Sequence, residues 1–161
     1  MHPSEVPYVA VVGASEATER DVVDAEQVGR LLGAAGAIVV CGGRGGVMAA
    51  ASRGAAGAGG TVIGMLPGDG RDDANEWVTV AIPTGIGELR NGLIVRTADA
   101  MVAVGGSYGT LSEIALGLHA GLSVYGLHTW DITGIERVGS PEEAVQRALA
   151  AAGRPAPEPT I

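Results

Sequence analysis

Residues 102–113 have the sequence VAVGGSYGTLSE. The segment starts as an apolar run, is interrupted by glycines and continues with the pattern of an amphipathic helix. Glycines let a ligand approach the backbone, and a helix start offers unpaired N–H groups and the positive end of the helix dipole. The stretch therefore predicts a buried strand, a ligand loop and a helix N-terminus that carries Thr110 and Glu113. We expect the other elements to be scaffold for this unit or partners to it.

Further apolar runs along the chain alternate with segments of helical periodicity. The predicted strands are 8–12, 37–41, 61–65, 77–82, 100–104 and 123–127, and the predicted helices are 18–32, 47–56, 86–97, 110–120 and 140–153. On the third helix, Leu89, Leu93 and Ile94 share the apolar face. The alternation predicts an α/β fold, namely a Rossmann-like doubly wound parallel sheet of about six or seven strands with helices on both faces.

The length of 161 residues fits one domain, which we assign to residues 1–153 as a single Rossmann-like ligand-binding domain. The proline-rich end, residues 154–161, is predicted to be a disordered tail. Hydrophobic residues make up 47% of the chain but aromatic residues only 3%. A core of Val, Ile, Leu and Ala suits parallel strands that are buried on both faces.

The formal net charge of −8 argues against nucleic acid or an anionic membrane as a partner, because both require excess basic charge. All ten basic residues are arginines. The absence of lysine excludes Schiff-base chemistry, including pyridoxal phosphate catalysis, and a Walker-type phosphate lysine. The single Cys41, the lack of a signal peptide and the lack of an apolar run of about 20 residues lead us to expect a cytoplasmic protein.

Three glycine-rich loops follow predicted strands, and in doubly wound sheets ligands bind outside the carboxyl ends of the strands, where the strand order reverses. The candidate ligand- and phosphate-binding residues on these loops are Gly13, Ser15, Gly42, Gly43, Arg44, Gly45, Gly46, Gly105, Gly106, Ser107, Tyr108, Gly109 and Thr110. None of the loops has the dinucleotide pattern Gly-x-Gly-x-x-Gly, so NAD binding in the usual mode is not expected. A tight turn with close helix packing remains an alternative explanation for the loop at 42–46.

Glu113 has two explanations at this stage. It lies three residues beyond Thr110, so it could complete a capping box. Alternatively, it is a carboxylate at the mouth of an anion site, where it stabilises positive charge on a sugar carbon or binds a ribose hydroxyl. We expect no metal site, because no His/Cys cluster has ligand spacing and solvation explains the acidic loop at 69–73 better than Mg²⁺ or Ca²⁺ does.

The run Gly-Gly-Ser-Tyr-Gly-Thr-Leu-Ser-Glu at 105–113 resembles the Pro-Gly-Gly-x-Gly-Thr-x-x-Glu signature of the Lonely Guy (LOG) superfamily, long mislabelled as lysine decarboxylases. Gly105 and Ser107 stand where the signature has Pro and Gly. Arg90 lies where that superfamily keeps an Arg-Lys pair, with Asn91 in place of the lysine. The resemblance covers most of residues 8–127, including the glycine loop at 42–46.

Within the superfamily, the segment TGIGELRN at 84–91, followed by GGSYGTLSEIA, looks most like the branch that includes molybdenum cofactor carrier proteins. The resemblance implies a protein that binds a phosphorylated small molecule, either a pterin-type molybdenum cofactor or a nucleotide, as a carrier. It implies homo-dimers or homo-tetramers, with molybdenum cofactor as possible cargo and no cofactor required for catalysis.

The alternative function is that of a LOG-type phosphoribohydrolase, which releases the base from a nucleoside 5′-monophosphate. In that reading Arg90 and Glu113 are the catalytic residues: Arg90 orients the nucleotide and Glu113 stabilises the developing cation, while Thr110 and the loop N–H groups hold the phosphate. Retention of Arg90 and Glu113 favours the enzyme, whereas the altered motif and the loss of the lysine favour the carrier.

Overall fold

The computed structural model describes residues 2–153. Its strands are β1 (Tyr8–Gly13), β2 (Ile38–Cys41), β3 (Val62–Leu66), β4 (Val80–Pro83), β5 (Ala100–Val104), β6 (Val124–Leu127) and β7 (Ile135–Arg137). Its helices are α1 (Glu19–Ala34), α2 (Val47–Gly57), α3 (Arg90–Thr97), α4 (Tyr108–His119) and α5 (Pro141–Ala152). Short 3₁₀ turns occupy Pro3–Glu5 and Gly87–Leu89. The predicted tail at 154–161 lies outside the described residues.

The seven strands form one parallel sheet in the order β4-β3-β2-β1-β5-β6-β7. The chain builds outward from β1 in one direction through β4 and then returns to add β5, β6 and β7 on the other side. The order therefore reverses between β1 and β5, which is the position of the ligand crevice in doubly wound sheets. The predicted fold class is confirmed.

Apolar layers cover both faces of the sheet. Val9 and Val11 of β1 belong to the layer beneath α1, α2 and α5, while Ala10 and Val12 belong to the layer beneath α3 and α4. Successive side chains of a strand point to opposite faces, so an uninterrupted apolar run supplies both layers at once. This is why the strands were recognisable as continuous runs.

Helices α1 and α2 approach each other through small residues. A Cβ on Gly29 would lie 2.0 Å from the carbonyl oxygen of Ala51, and one on Gly54 would lie 2.0 Å from that of Glu26. Gly33, which follows the predicted helix 18–32 directly, lies inside α1 and packs against Ala55. The small residues of α2 therefore serve its contact with α1 as well as with the sheet.

Two strands differ from the prediction. The strand expected at 77–82 is β4, Val80–Pro83, because the Asn75 side chain accepts a hydrogen bond from the Trp77 N–H (3.1 Å) and keeps that segment in a turn. Strand β7 was not predicted. It is a three-residue edge strand with a half-buried and two exposed side chains, so it has neither an apolar run nor a clear alternation.

The helix predicted at 86–97 begins as a 3₁₀ turn and becomes α-helical only at Arg90. The buried face of α3 is formed by Asn91, Ile94 and Val95. Leu89 is 77% exposed and Leu93 is 40% exposed, so the expected apolar face of Leu89, Leu93 and Ile94 is wrong except for Ile94. The change of helix type before Arg90 shifts the phase of the apolar pattern.

Candidate functional site

The loops that follow β1, β2 and β5 meet at the carboxyl edge of the sheet. Gly13 pairs in register with Val104, so the loops after β1 and β5 start side by side at the reversal of strand order. A Cβ on Gly13 would lie 2.5 Å from the Val104 carbonyl oxygen and 2.6 Å from the Val47 side chain. Gly13 therefore permits close packing of β1, β5 and α2 at the base of the crevice.

The first and second loops are joined at Gly46. This residue has φ +61°, and a Cβ there would lie 2.2 Å from the carbonyl oxygen of Ala14 and 2.4 Å from that of Ser15. The Val47 N–H donates to the Ala14 carbonyl at 3.1 Å. Gly46 is thus required by the meeting of two backbones, and Ser15 lies at that meeting point.

The rest of the second loop has a fixed base and an open tip. Gly42 lies against Arg90, and Gly43, with φ +78°, lies against the end of β3. Asn75 anchors the loop: its N–H donates to the Gly43 carbonyl (2.8 Å) and its side-chain amide to the Arg44 carbonyl (2.9 Å). Arg44 itself is exposed, and a Cβ on Gly45 would meet no atom within 4 Å.

The third loop turns from β5 into α4 through two glycines with positive φ, Gly105 (+58°) and Gly106 (+138°). The Gly105 N–H donates to the Leu127 carbonyl (2.8 Å), and a Cβ on Gly105 would lie 2.6 Å from the Asp21 carboxylate. Helix α4 starts at Tyr108, which is 82% exposed. The first-turn N–H groups of Tyr108 and Gly109 have no acceptor within the helix, as at any helix start.

Thr110 belongs to the capping of α4. It is 2% exposed, and its hydroxyl accepts a hydrogen bond from the Ser107 N–H at 3.2 Å. Ser107 is therefore the N-cap residue of α4, and Thr110 is the third helical residue, which pairs with it. The explanation of Glu113 as the acidic partner of a capping box with Thr110 is wrong, because Ser107 fills that partnership.

Glu113 lies on the buried side of α4 and is only 7% exposed. Burial raises the pKa of its carboxyl group to about 8, and the nearby Arg90 guanidinium offsets part of this increase. Burial also lowers the pKa of Arg90, with Glu113 opposing and Arg44 adding to the decrease. Arg90 and Glu113, which are far apart in sequence, are thus brought into one electrostatic environment.

Arg90 ties three elements together. Its Nε donates to the Met65 carbonyl (2.8 Å), Nη1 donates to Asn91 Oδ1 (2.6 Å), and Nη2 donates to the Gly42 carbonyl (3.4 Å). A guanidinium directed at two backbone carbonyls and an amide fixes the ends of β2 and β3 against α3. Much of its hydrogen-bonding capacity therefore serves the scaffold.

Asn91 continues this network to the third loop. Its amide nitrogen donates to Ser112 Oγ (2.9 Å), and the Ser112 hydroxyl donates to the Gly109 carbonyl (2.7 Å). Asn91 is 5% exposed and stands where the resemblance has a lysine. A continuous chain of hydrogen bonds thus runs from Gly42 to Gly109. No sequence motif pointed to Ser112, whereas the polar Asn91 next to Arg90 was a usable signal.

A second group of residues borders the third loop and was not among the predicted site residues. Gly105 and Gly106 line a cleft of about 260 Å³ together with His128, Thr129 and Trp130, which follow β6. The Trp130 indole N–H donates to the Ser107 carbonyl at 3.1 Å. Their position at the carboxyl end of a strand was the available signal, since parallel strands end at one edge of a sheet.

Within residues 2–153, no group of three or more His, Cys, Asp or Glu side chains is arranged to hold a metal ion. Among the same residues, no helix combines the length and apolar character needed to cross a membrane.

The SLOG cluster4 family matches this chain over residues 6–153. The chain belongs to that family. An uncharacterised protein of Archaeoglobus fulgidus is 39% identical over 142 residues, which are 88% of this chain and 93% of the relative. The resemblance to the LOG superfamily that the glycine motifs indicated is confirmed.

Solved structures similar to this chain include molybdenum cofactor proteins. The molybdenum cofactor binding protein of Rippkaea orientalis is 34% identical, with a TM-score of 0.86 over 90% of this chain and 96% of that protein. The molybdenum cofactor carrier protein of Chlamydomonas reinhardtii is 30% identical, with a TM-score of 0.84 over 92% of this chain and 99% of that protein. The similarity to the branch that includes these carriers is therefore found in structure as well as in sequence.

Proposed function

We propose that this SLOG protein is a molybdenum cofactor carrier that holds the phosphorylated cofactor at the carboxyl edge of its sheet. The similarity to two molybdenum cofactor proteins along nearly their whole length supports this proposal. That similarity is the observation that carries it, and the state of Glu113 and Arg90 agrees with it. The carboxyl group is buried and mostly neutral near pH 7, and the guanidinium is bound to backbone carbonyls.

This arrangement suits retention of a ligand better than cleavage of a glycosidic bond. An oxocarbenium-like transition state is stabilised by a negative charge close to the sugar carbon. A Glu113 that keeps its proton up to about pH 8 does not supply this charge at neutral pH. As a neutral carboxylic acid it is instead a hydrogen-bond donor to a ligand oxygen.

The proposed phosphate site lies between the second and third glycine loops. The start of α4 contributes first-turn N–H groups and the positive end of a 12-residue helix. Arg44 is exposed, and it lies close enough to Arg90 for its charge to lower the pKa of that guanidinium. These positive groups form a local anion site in a chain whose net charge is −8.

Retention of released cofactor tests the proposal. The purified protein is incubated anaerobically with molybdenum cofactor released from a molybdoenzyme and passed through a gel-filtration column, and molybdenum and pterin are measured in the protein peak. We expect both to elute with the wild-type protein. Arg44→Ala should retain less of both, whereas Arg30→Ala, which removes an arginine of α1 instead, should retain the wild-type amount. A wild-type peak free of molybdenum and pterin contradicts the proposal.

The phosphoribohydrolase is the second candidate function, and the proximity of Arg90 and Glu113 favours it. Incubation with AMP and other nucleoside monophosphates, with detection of ribose 5-phosphate, distinguishes the two functions. The carrier proposal expects no release above the background rate. Release that is abolished in Glu113→Ala but persists in Glu76→Ala, an exposed loop variant, would establish the hydrolase in its place.

We further propose that the protein is a homo-oligomer and that it works in the cytoplasm. Large exposed apolar side chains concentrate around the 3₁₀ turn before α3, on α3 and on α4, namely Ile86, Leu89, Leu93 and Leu116. Contact with a second copy of the chain would remove this apolar surface from water. The two helices lie beside the proposed site, so such a contact places two sites near each other.

A further inference from the structure

Two adjoining clefts lie at the carboxyl ends of β6 and β7, next to the third glycine loop. One, of about 260 Å³, opens on Gly105 and Gly106. The other, of about 360 Å³, reaches toward Gly126 and Arg137. Both are lined by the same three residues, 128–130. Each cleft is close in size to the small end of the pockets that hold organic ligands.

The backbone at the centre of these clefts is strained. His128 has φ +52°, and it is the one residue other than glycine with a positive φ among those the structure describes. Residues with side chains rarely adopt this conformation, and such strain is concentrated at functional sites. The imidazole Nε2 lies 3.2 Å from Asp24 Oδ2 of α1, a contact that holds the residue in place.

Next to it, Thr129 has an unused polar atom. Its Oγ1 is shielded from solvent and has no hydrogen-bond partner in the described part of the chain. An unsatisfied buried hydroxyl is destabilising, and each such group in a native structure requires an explanation. Thr129 lines both clefts, so a ligand that enters them can supply the missing partner once the side chain turns about its Cα–Cβ bond and brings the hydroxyl to the cleft surface.

Trp130 supplies an aromatic wall that is attached to the glycine loop. Its indole N–H donates to the Ser107 carbonyl, and its ring lies 5.9 Å from the ring of Tyr108, centroid to centroid, with a tilt of 33°. The two aromatic side chains thus flank the start of α4. A planar ring next to a phosphate-binding loop is a surface on which a heterocycle can stack.

We propose that the clefts at His128–Trp130 hold the planar nitrogen heterocycle of the ligand whose phosphate is held by the glycine loops. The heterocycle stacks against Trp130, and its polar edge provides a hydrogen-bond partner for the Thr129 hydroxyl and faces the His128 imidazole. This assignment rests on the proposed function, because it concerns the organic part of the same phosphorylated ligand. It makes the loop after β6 a specificity determinant for the ring.

Titrations of molybdenum cofactor and of inorganic phosphate into four proteins test the assignment: wild type, Thr129→Val, Trp130→Leu and Trp77→Leu. Trp77 is the other tryptophan of the chain and lies beside Arg53 of α2, away from the clefts. We expect Thr129→Val and Trp130→Leu each to weaken cofactor binding at least fivefold. Trp77→Leu should match the wild type.

Thr129→Val is the sharper variant, because it removes the unsatisfied hydroxyl and is therefore expected to melt at or above the wild-type temperature. Weaker cofactor binding without loss of stability separates a ligand contact from a structural role. Inorganic phosphate should bind Thr129→Val and the wild type equally.

The outcomes distinguish the two proposals. If the wild type retains the cofactor and both cleft variants bind it as tightly as Trp77→Leu does, the ring assignment is overturned while the carrier function stands. If the wild type does not retain the cofactor, the proposed function fails and the assignment fails with it.

Discussion

At the scale of single residues, the site depends on how burial sets charge. Glu113 belongs to the glycine-rich motif and is a candidate catalytic residue. Its position in the sequence left open whether its carboxylate caps helix α4 or faces a ligand. In the structure, Ser107 and Thr110 cap helix α4, and Glu113 is buried near Arg90. Sequence could identify the residue but not its protonation state, because that state depends on burial among residues distant in the chain.

The raised pKa of Glu113 predicts a dependence of stability on pH. The folded protein keeps the Glu113 proton up to about pH 8, whereas the unfolded chain loses it near the ordinary value of 4.5. Between these values the unfolded state binds fewer protons, so stability present below pH 4.5 is lost as pH rises toward 8. We expect the free energy of unfolding to fall by about 2–3 kcal/mol between pH 5.5 and 8.

Urea denaturation of the wild type, Glu113→Gln and Glu76→Gln at both pH values measures this effect. Glu113→Gln cannot ionise and should lack this part of the pH dependence, while Glu76→Gln, which removes an exposed carboxylate, should follow the wild type. An identical pH dependence in Glu113→Gln and the wild type would mean that Glu113 is already ionised at pH 5.5 in the folded protein.

At the scale of elements, the glycine loops were predictable where their geometry depends on neighbouring residues in the sequence. The positive φ of Gly105 and Gly106 and the start of α4 follow from a strand that breaks into glycines and a helix. Strand β7 and the phase of α3 were not predictable, because a three-residue edge strand and a 3₁₀ turn have little periodicity of their own. The clefts at 128–130 depend on the packing of β6 beside β5, which no local pattern specifies.

Neighbouring glycines of the second loop should respond differently to substitution. Gly46→Ala places a Cβ 2.2 Å from the Ala14 carbonyl oxygen at φ +61°, so we expect a loss of at least about 2 kcal/mol of unfolding free energy. Gly45→Ala enters open space and should change stability by less than about 0.5 kcal/mol. Thermal or chemical denaturation of the two variants compares them directly. Equal losses would show that the meeting of the two loops at Gly46 is not as tight as described.

At the scale of the whole molecule, the parallel sheet and its two layers were predictable from composition and alternation, because strands buried on both faces appear as uninterrupted apolar runs. The exposed apolar surface near α3 and α4 was not predictable from the sequence. Leu89 and Leu93 looked like core residues from their spacing, and the structure places them at the surface. Helical periodicity identifies an apolar face but does not say whether the same chain or another copy covers it.

If the protein is a homo-oligomer, a charged residue introduced at the interface and one introduced elsewhere on the surface should have different effects on the molecular mass. Leu89→Glu places a charge on the face near α3, so we expect a lower molecular mass by gel filtration with light scattering. Val23→Glu alters an apolar residue of α1 that is 66% exposed, on the other side of the sheet, and should keep the wild-type mass. A wild-type protein of about 16.0 kDa in solution would contradict the oligomer.

In the proposed carrier, the molybdenum cofactor binds where the strand order reverses, beside the third glycine loop. Anomalous diffraction at the molybdenum edge, from crystals of the protein loaded with the cofactor, tests it directly. We expect the strongest anomalous peak outside the carboxyl ends of β1 and β5, next to residues 105–110. A strongest peak at the opposite edge of the sheet, or on the helical face of α1 and α2, would contradict it.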